Sequence, residues 1–356
     1  MKKYSYEHGF VTEGGDRFTQ IEIAYHTWGR LNSSGDNVIW VCHALTANSD
    51  VAEWWPRMVG DGLMLDTSRY FIVCANILGS CYGTTGPLSI NPGTGNPWFN
   101  DFPVITTRDI VSVHEILRNH LGISRINTVI GASIGGHQAL EYSIMHPGII
   151  RHLVFVASNA KQSPWAIAFN ESQRLALEAD PTFREARHGG GELGLKAARS
   201  IALLSYRNSD AYNLSQVEQE EDKVDSFRAS TYQKYQGEKL VKRFNPWSYY
   251  IMTRVSDSHN VGRNRGGVEK ALRRVEASTL AMGIKSDILF PPGEVRRVSN
   301  GIPGGKYAEI DSFYGHDGFL IDTEKITRLV KDFLSEEPKT IVPDRKFHAV
   351  EAKQNY

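Results

Sequence analysis

Gly131-Ala132-Ser133-Ile134-Gly135 sets a hydroxyl between glycines in the pattern G-x-S-x-G. The β-branched run INTVI stands before it and the helix-like stretch HQALEYSIM after it. A strand that turns sharply into a helix holds such a serine on a strained backbone. The glycines leave room where a side chain would collide with the neighbouring chain. The new helix also points unpaired N–H groups at the hydroxyl. Ser133 is therefore a candidate nucleophile. The alternative, a phosphate loop, would need G-x-G-x-x-G or G-K-[ST], and the stretch around Ser133 holds neither.

A serine hydroxyl attacks only when a base takes its proton and an acid orients that base. In a strand–turn–helix setting the chain order is Ser, acid, His, each at the C-terminal end of a strand. Among 12 histidines, His43 precedes the serine, His137 lies on the following helix, and His146, His152, His188 and His259 fall mid-chain. His348 comes too late to be placed. His316, in EIDSFYGHDGFL, is the one that follows a late strand. For the acid, Asp287 ends the strand-like LAMGIKSD, whereas Asp311 and Asp317 stand too close to His316 in sequence. The triad expected is Ser133, Asp287 and His316. An oxyanion would need two N–H donors. Ile134, next to the nucleophile, supplies one, and Leu45, in the loop ending NVIWVCHALTANSD, is the candidate for the other.

These residues must be held by a regular scaffold. FTQIEIAYHTWG, NVIWVCHAL, YFIVCANIL, INTVIGAS and HLVFVAS read as strands, rich in β-branched or aromatic residues and closed by Gly, Ser or Asn. Between them TTRDIVSVHEILRNHLG repeats Ile110, Val113, Leu117 and Leu121 at helical spacing, with Thr106 or Thr107 as N-cap and Gly122 as stop. Alternating strands and helices imply an α/β fold around a mostly parallel sheet. After Ser163 the pattern changes to polar, helical text without a strand. The chain thus divides into a first core segment (1–163), an all-helical insertion (164–276), a second core segment (277–337) and a polar C-terminal tail (338–356).

Composition narrows the partners. Lys plus Arg equals Asp plus Glu, 40 against 40, so no net charge draws the chain to nucleic acid or anionic lipid. The N-terminus has no apolar run behind its lysines, and nothing approaches the ~18 apolar residues of a membrane span. The three cysteines, Cys42, Cys74 and Cys81, lack framework or zinc-site spacing, which points to a reducing compartment, by default the cytoplasm.

Several segments together resemble the homoserine O-acetyltransferases of the α/β-hydrolase fold. They are IEIAYHTWGRLN, CHALTANSDVAEWW, LGSCYGTTGPLSINP, VIGASIGGHQALE, AFNESQR, YQGEKLVKRF, GIKSDILFPP and GHDGFL, spread over nearly the whole chain. The resemblance implies acetyl transfer from acetyl-CoA to the hydroxyl of L-homoserine through an acyl-serine, as a step of methionine biosynthesis. It implies no bound cofactor and no metal, a helical lid, and a homodimer assembled through it. It places the same triad on Ser133, Asp287 and His316 and the oxyanion donors on Leu45 and Ile134. It further implies an arginine gripping the substrate carboxylate, for which Arg207 is the candidate, and Asp317 meeting the ammonium. Arg174 and Tyr235 are secondary candidates for the same wall. The elbow departs from the family's usual Gly-Gly-Ser-Met-Gly-Gly at Ala132 and Ile134, and Ala47 stands where the family usually has Gly, so the acyl pocket is where donor length stays open. Succinyl-CoA as donor, serine as acceptor, an esterase with the same triad, and a non-catalytic binding module are the competing readings.

Overall fold

In a computed structural model, described for residues 1–336, the chain folds around an eight-stranded sheet. In chain order the strands are β1 (Lys2–Tyr6), β2 (Ile21–Trp28), β3 (Val38–Cys42), β4 (Phe71–Ala75), β5 (Ile126–Ala132), β6 (Ile150–Val156), β7 (Ser278–Ile284) and β8 (Lys306–Ile310). Their order across the sheet is β1-β2-β4-β3-β5-β6-β7-β8. The first two strands run antiparallel to their neighbours, and the rest pair in parallel from β4 to β8.

The central strands are apolar throughout because both faces of the sheet are covered. All five residues of β3, VIWVC, are buried, as expected where helices pack on both sides of a parallel sheet. One face packs against α1 (Thr107–His120) and α2 (Ile134–Met145), giving a core with Trp40, Val129, Leu140 and Tyr142. The other gathers Val41, Ile130, Val154 and Met282 with Phe333. The start of α1 is fixed by a capping box. The Thr106 hydroxyl accepts the Arg108 and Asp109 N–H groups, and the Asp109 carboxylate accepts the Thr106 N–H at 2.7 Å. Strand β1 was not legible as a strand. KKYSY is a short, mostly polar edge, and pairing with β2 in the register Lys2↔Tyr25 to Tyr6↔Ile21 is what makes it one.

Between β6 and β7 the chain is helical. The main elements are α3 (Pro164–Glu178), α4 (Glu192–Tyr206), α5 (Arg228–Val241) and α6 (Pro246–Asp257). Leu177, Leu195, Ala198, Leu240, Phe244 and Tyr249 form a small apolar core there, against which Leu45, Cys81 and Tyr82 of the sheet's loops pack. The insertion thus closes over the C-terminal ends of β3 and β4. After it, α7 (Pro292–Gly301) and α8 (Thr323–Ser335) flank the last two strands. The polar tail expected from residue 338 lies outside the described residues.

Candidate active site

Ser133 stands at the turn from β5 into α2 with φ +58° and ψ −128°, an uncommon conformation for a residue with a side chain. Its neighbours make the turn possible. A Cβ on Gly131 would come within 2.1 Å of the Gly135 carbonyl oxygen, and one on Gly135 within 2.2 Å of the Cys42 carbonyl oxygen. The turn is pinned by the Ser133 N–H donating to Val156 O at 3.0 Å and the Ser158 hydroxyl donating to Ser133 O at 2.7 Å.

His316 sits in a tight turn (Gly315–Asp317) following β8, and Asp287 follows β7. The imidazole Nδ1 lies 2.7 Å from Asp287 Oδ2. The other carboxylate oxygen, Oδ1, accepts the Leu289 and Phe290 N–H groups at 2.8 and 2.9 Å. Both oxygens of a buried carboxylate are thereby used, as a buried charge requires. The arrangement puts the proton on Nδ1 and leaves Nε2 free as a base. Rings of Phe290, Phe319 and Tyr206 surround the imidazole at 5.3, 5.4 and 5.7 Å. Burial alone would depress the basicity of His316. The Asp287 charge and hydrogen bond outweigh it, and the imidazole lies above the ordinary histidine value.

Ser133 and His316 open onto one cavity of about 260 Å³, lined also by Leu45, Tyr82, Arg199, Tyr206, Arg243 and Asp317. Among the described residues the serine hydroxyl has no hydrogen-bond partner, and it and the imidazole line the same cavity. The Leu45 and Ile134 N–H groups likewise have no acceptor among the described residues, and Leu45 lines the cavity beside Ser133.

The cavity lining holds some of the expected substrate-binding residues and not others. Arg207 does not line the cavity. It caps the end of α4 in an extended conformation, and its Nε lies 2.9 Å from Asp317 Oδ2, behind that carboxylate. The arginines that do face the cavity are Arg199 and Arg243. Arg199 lies two turns before Tyr206 on α4, so both project from one helix face, the guanidinium carbon 5.5 Å from the Tyr206 ring centroid. That seven-residue spacing was the available signal, and it could be used only once α4's inward face was known. Asp317 is in place on the cavity. Burial raises its carboxyl above the usual value, with Arg207 and Arg199 opposing. Arg174 is buried in an ion pair with Asp257 at 2.6 Å and another with Glu171, away from the cavity. Tyr235 is 55% exposed on α5 and does not line the cavity either. No group of three or more His, Cys, Asp or Glu side chains among the described residues is arranged to hold a metal ion. No helix there is long and apolar enough to cross a membrane.

Residues 37–323 match the alpha/beta hydrolase fold family. A homoserine O-acetyltransferase of Cyclobacterium marinum is 48% identical over 324 residues, which are 91% of this chain and 92% of that one. The chain belongs to the homoserine O-acetyltransferase family. The crystal structure of a family member, homoserine O-acetyltransferase from Bacillus anthracis, superposes with a TM-score of 0.88 at 25% identity, over 94% of this chain and 98% of that one. Esterase E22 superposes with a TM-score of 0.86 at 23% identity, over 94% of this chain and 99% of that one, and shares the fold. Transferases and an esterase thus share this fold.

Proposed function

We propose that this chain transfers an acetyl group from acetyl-CoA to the hydroxyl of L-homoserine, giving O-acetyl-L-homoserine for methionine biosynthesis. The observation that carries this reading is the pairing of opposite charges, Arg199 and Asp317, around a cavity that Ser133 and His316 enter. An amino acid is a zwitterion. A guanidinium complements its carboxylate and a carboxylate its ammonium, which fixes the hydroxyl's position. A simple ester needs neither.

In the first half-reaction His316 Nε2 takes the Ser133 proton as the oxygen attacks the thioester carbonyl. The N–H groups of Leu45 and Ile134 stabilise the oxyanion. It collapses to an acetyl-serine, and the CoA thiolate leaves with the proton from His316. Homoserine then binds with its carboxylate on Arg199 and its ammonium on Asp317, which Arg207 holds from behind. His316 deprotonates the homoserine hydroxyl, which attacks the acetyl carbonyl, and Ser133 regains the proton as the ester product leaves. The closed insertion side and the positioned acceptor give homoserine the advantage over water.

A homodimer through the insertion fits the exposed Leu193, Leu204, Leu214 and Val217, at 71%, 56%, 73% and 56%. A cytoplasmic location fits three free cysteines, two of them buried. Thiol release from acetyl-CoA on adding homoserine, with mass identification of the product ester, tests the reading. Parallel double-reciprocal lines are expected. Transfer from succinyl-CoA, transfer to serine, or release independent of any amino acid would each replace it with the corresponding alternative.

A further inference from the structure

The Leu45 N–H belongs to the peptide joining Ala44 to Leu45, and the carbonyl of that same peptide is gripped by His43. His43 Nδ1 lies 2.8 Å from Ala44 O. Its other nitrogen, Nε2, accepts the Ile77 N–H at 3.1 Å. A backbone N–H can only donate, so Nε2 carries the lone pair and Nδ1 the proton, which it gives to Ala44 O. His43 is completely buried, and burial pushes its basicity down to about 4 against the raising effect of the Ala44 contact. The ring therefore stays neutral and in one tautomer at every working pH. Its two partners follow adjacent strands: Ala44 comes after β3 and Ile77 after β4. The Ala47 N–H also donates to Ala44 O, at 3.1 Å, closing the turn that holds Leu45. On the other side, the Gln138 amide on α2 donates to His43 O at 3.2 Å and to Ile134 O at 3.1 Å. The loop of one expected oxyanion donor is thus tied to the turn of the other.

We propose that His43 is a positioning residue for the oxyanion site, orienting and polarising the Ala44–Leu45 peptide so that its N–H points at the reacting carbonyl. A donor at the oxygen of an amide draws charge along the group and strengthens the N–H at its other end. A preorganised donor matters most in the transition state, so losing the grip lowers kcat more than it raises KM. The inference rests on the acyl-serine reading but not on the identity of donor or acceptor, because the oxyanion forms with any acyl ester.

Two substitutions separate the two hydrogen bonds. His43→Asn puts an amide N–H near the place of Nδ1 and keeps the grip on Ala44 O. His43→Gln reaches toward the Ile77 N–H and loses that grip. With p-nitrophenyl acetate as acyl donor, the rate of Ser133 acylation is expected to fall roughly 10–100-fold in His43→Gln, a part of the 10²–10³-fold cost of losing an oxyanion donor. KM should stay within about threefold, and His43→Asn should recover most of the rate. Thermal unfolding of both variants checks that the fold is retained. Equal rates in the two variants, whether both normal or both lowered, would overturn the proposal. Absence of acylation in the unmodified protein, with this ester and with acetyl-CoA, would instead overturn the acyl-serine reading.

Discussion

The two sides of the cavity are built differently. On the core side every candidate catalytic group sits where a strand ends and is held by buried hydrogen bonds: Ser133 by Val156 and Ser158, His316 by Asp287, Asp287 by two backbone N–H groups. On the insertion side the groups are long cations, Arg199 on α4 and Arg243 in the turn after α5. Arg199 leans on a tyrosine ring, and the exposed Arg243 reaches across to Thr46 O and the Tyr82 hydroxyl, which lies 2.9 Å away. Rigid parts from the sheet suit bond making, which tolerates little displacement. Adjustable side chains from the insertion suit choosing and admitting a substrate.

Substitutions on the two sides should therefore fail in different ways. Ser133→Ala should abolish acylation, a loss of roughly 10⁴-fold or more in kcat, with no labelled enzyme by mass. Asp287→Asn should cost about 10³–10⁴-fold, because the carboxylate that sets the tautomer and stabilises the imidazolium is gone. It should also move the pH profile. On the proposed mechanism His316 works only when unprotonated, and its imidazole lies above the ordinary histidine value. In the unmodified protein acylation should thus rise with pH through a midpoint above 6.5 and fall away below it. In Asp287→Asn that midpoint should move down. A midpoint that stays put in the variant would show that the pair does not set the profile.

Arg199→Met tests the insertion side. KM for homoserine should rise about 10–100-fold, the worth of a charge-assisted hydrogen bond, while acylation by acetyl-CoA alone stays unchanged. If Arg207→Met raises KM as much while Arg199→Met does not, the carboxylate site belongs at the end of α4. Arg174→Met should leave KM alone and cost about 1–3 kcal/mol of stability, since it leaves the half-buried Asp257 with the Asn170 amide but no cation; denaturant unfolding measures it. Tyr235→Ala, on the exposed face of α5, should change neither activity nor stability beyond about 0.5 kcal/mol.

The same division explains what could be read from sequence. The Asp287–His316 pair was legible because each residue follows a strand late in the chain, β7 and β8, and chain order limits the choice to a few residues. Ser133 was legible because its flanking glycines stand where a Cβ would come within 2.1 and 2.2 Å of backbone oxygens. Arg199 was not, because on an amphipathic helix the inward face depends on the partner, and α4 packs against both α3 and α5. Arg207 was the arginine that the resemblance suggested, from the YR of LLSYRNSD, but its position one residue past the helix end sets it against Asp317 and off the cavity lining. His43 precedes the serine, which removes it as a base. Only its two hydrogen bonds reveal a different task. The edge strand β1 was missed because its residues have little apolar character of their own.

The central claim is that Ser133 carries an acetyl group whose acceptor is chosen by the insertion side. Intact mass of the protein incubated with acetyl-CoA alone tests it most directly, followed by addition of homoserine or buffer. An added acetyl group is expected, absent in Ser133→Ala, that homoserine discharges far faster than water. No adduct together with no transfer to homoserine, or an adduct that water clears as fast, would contradict it.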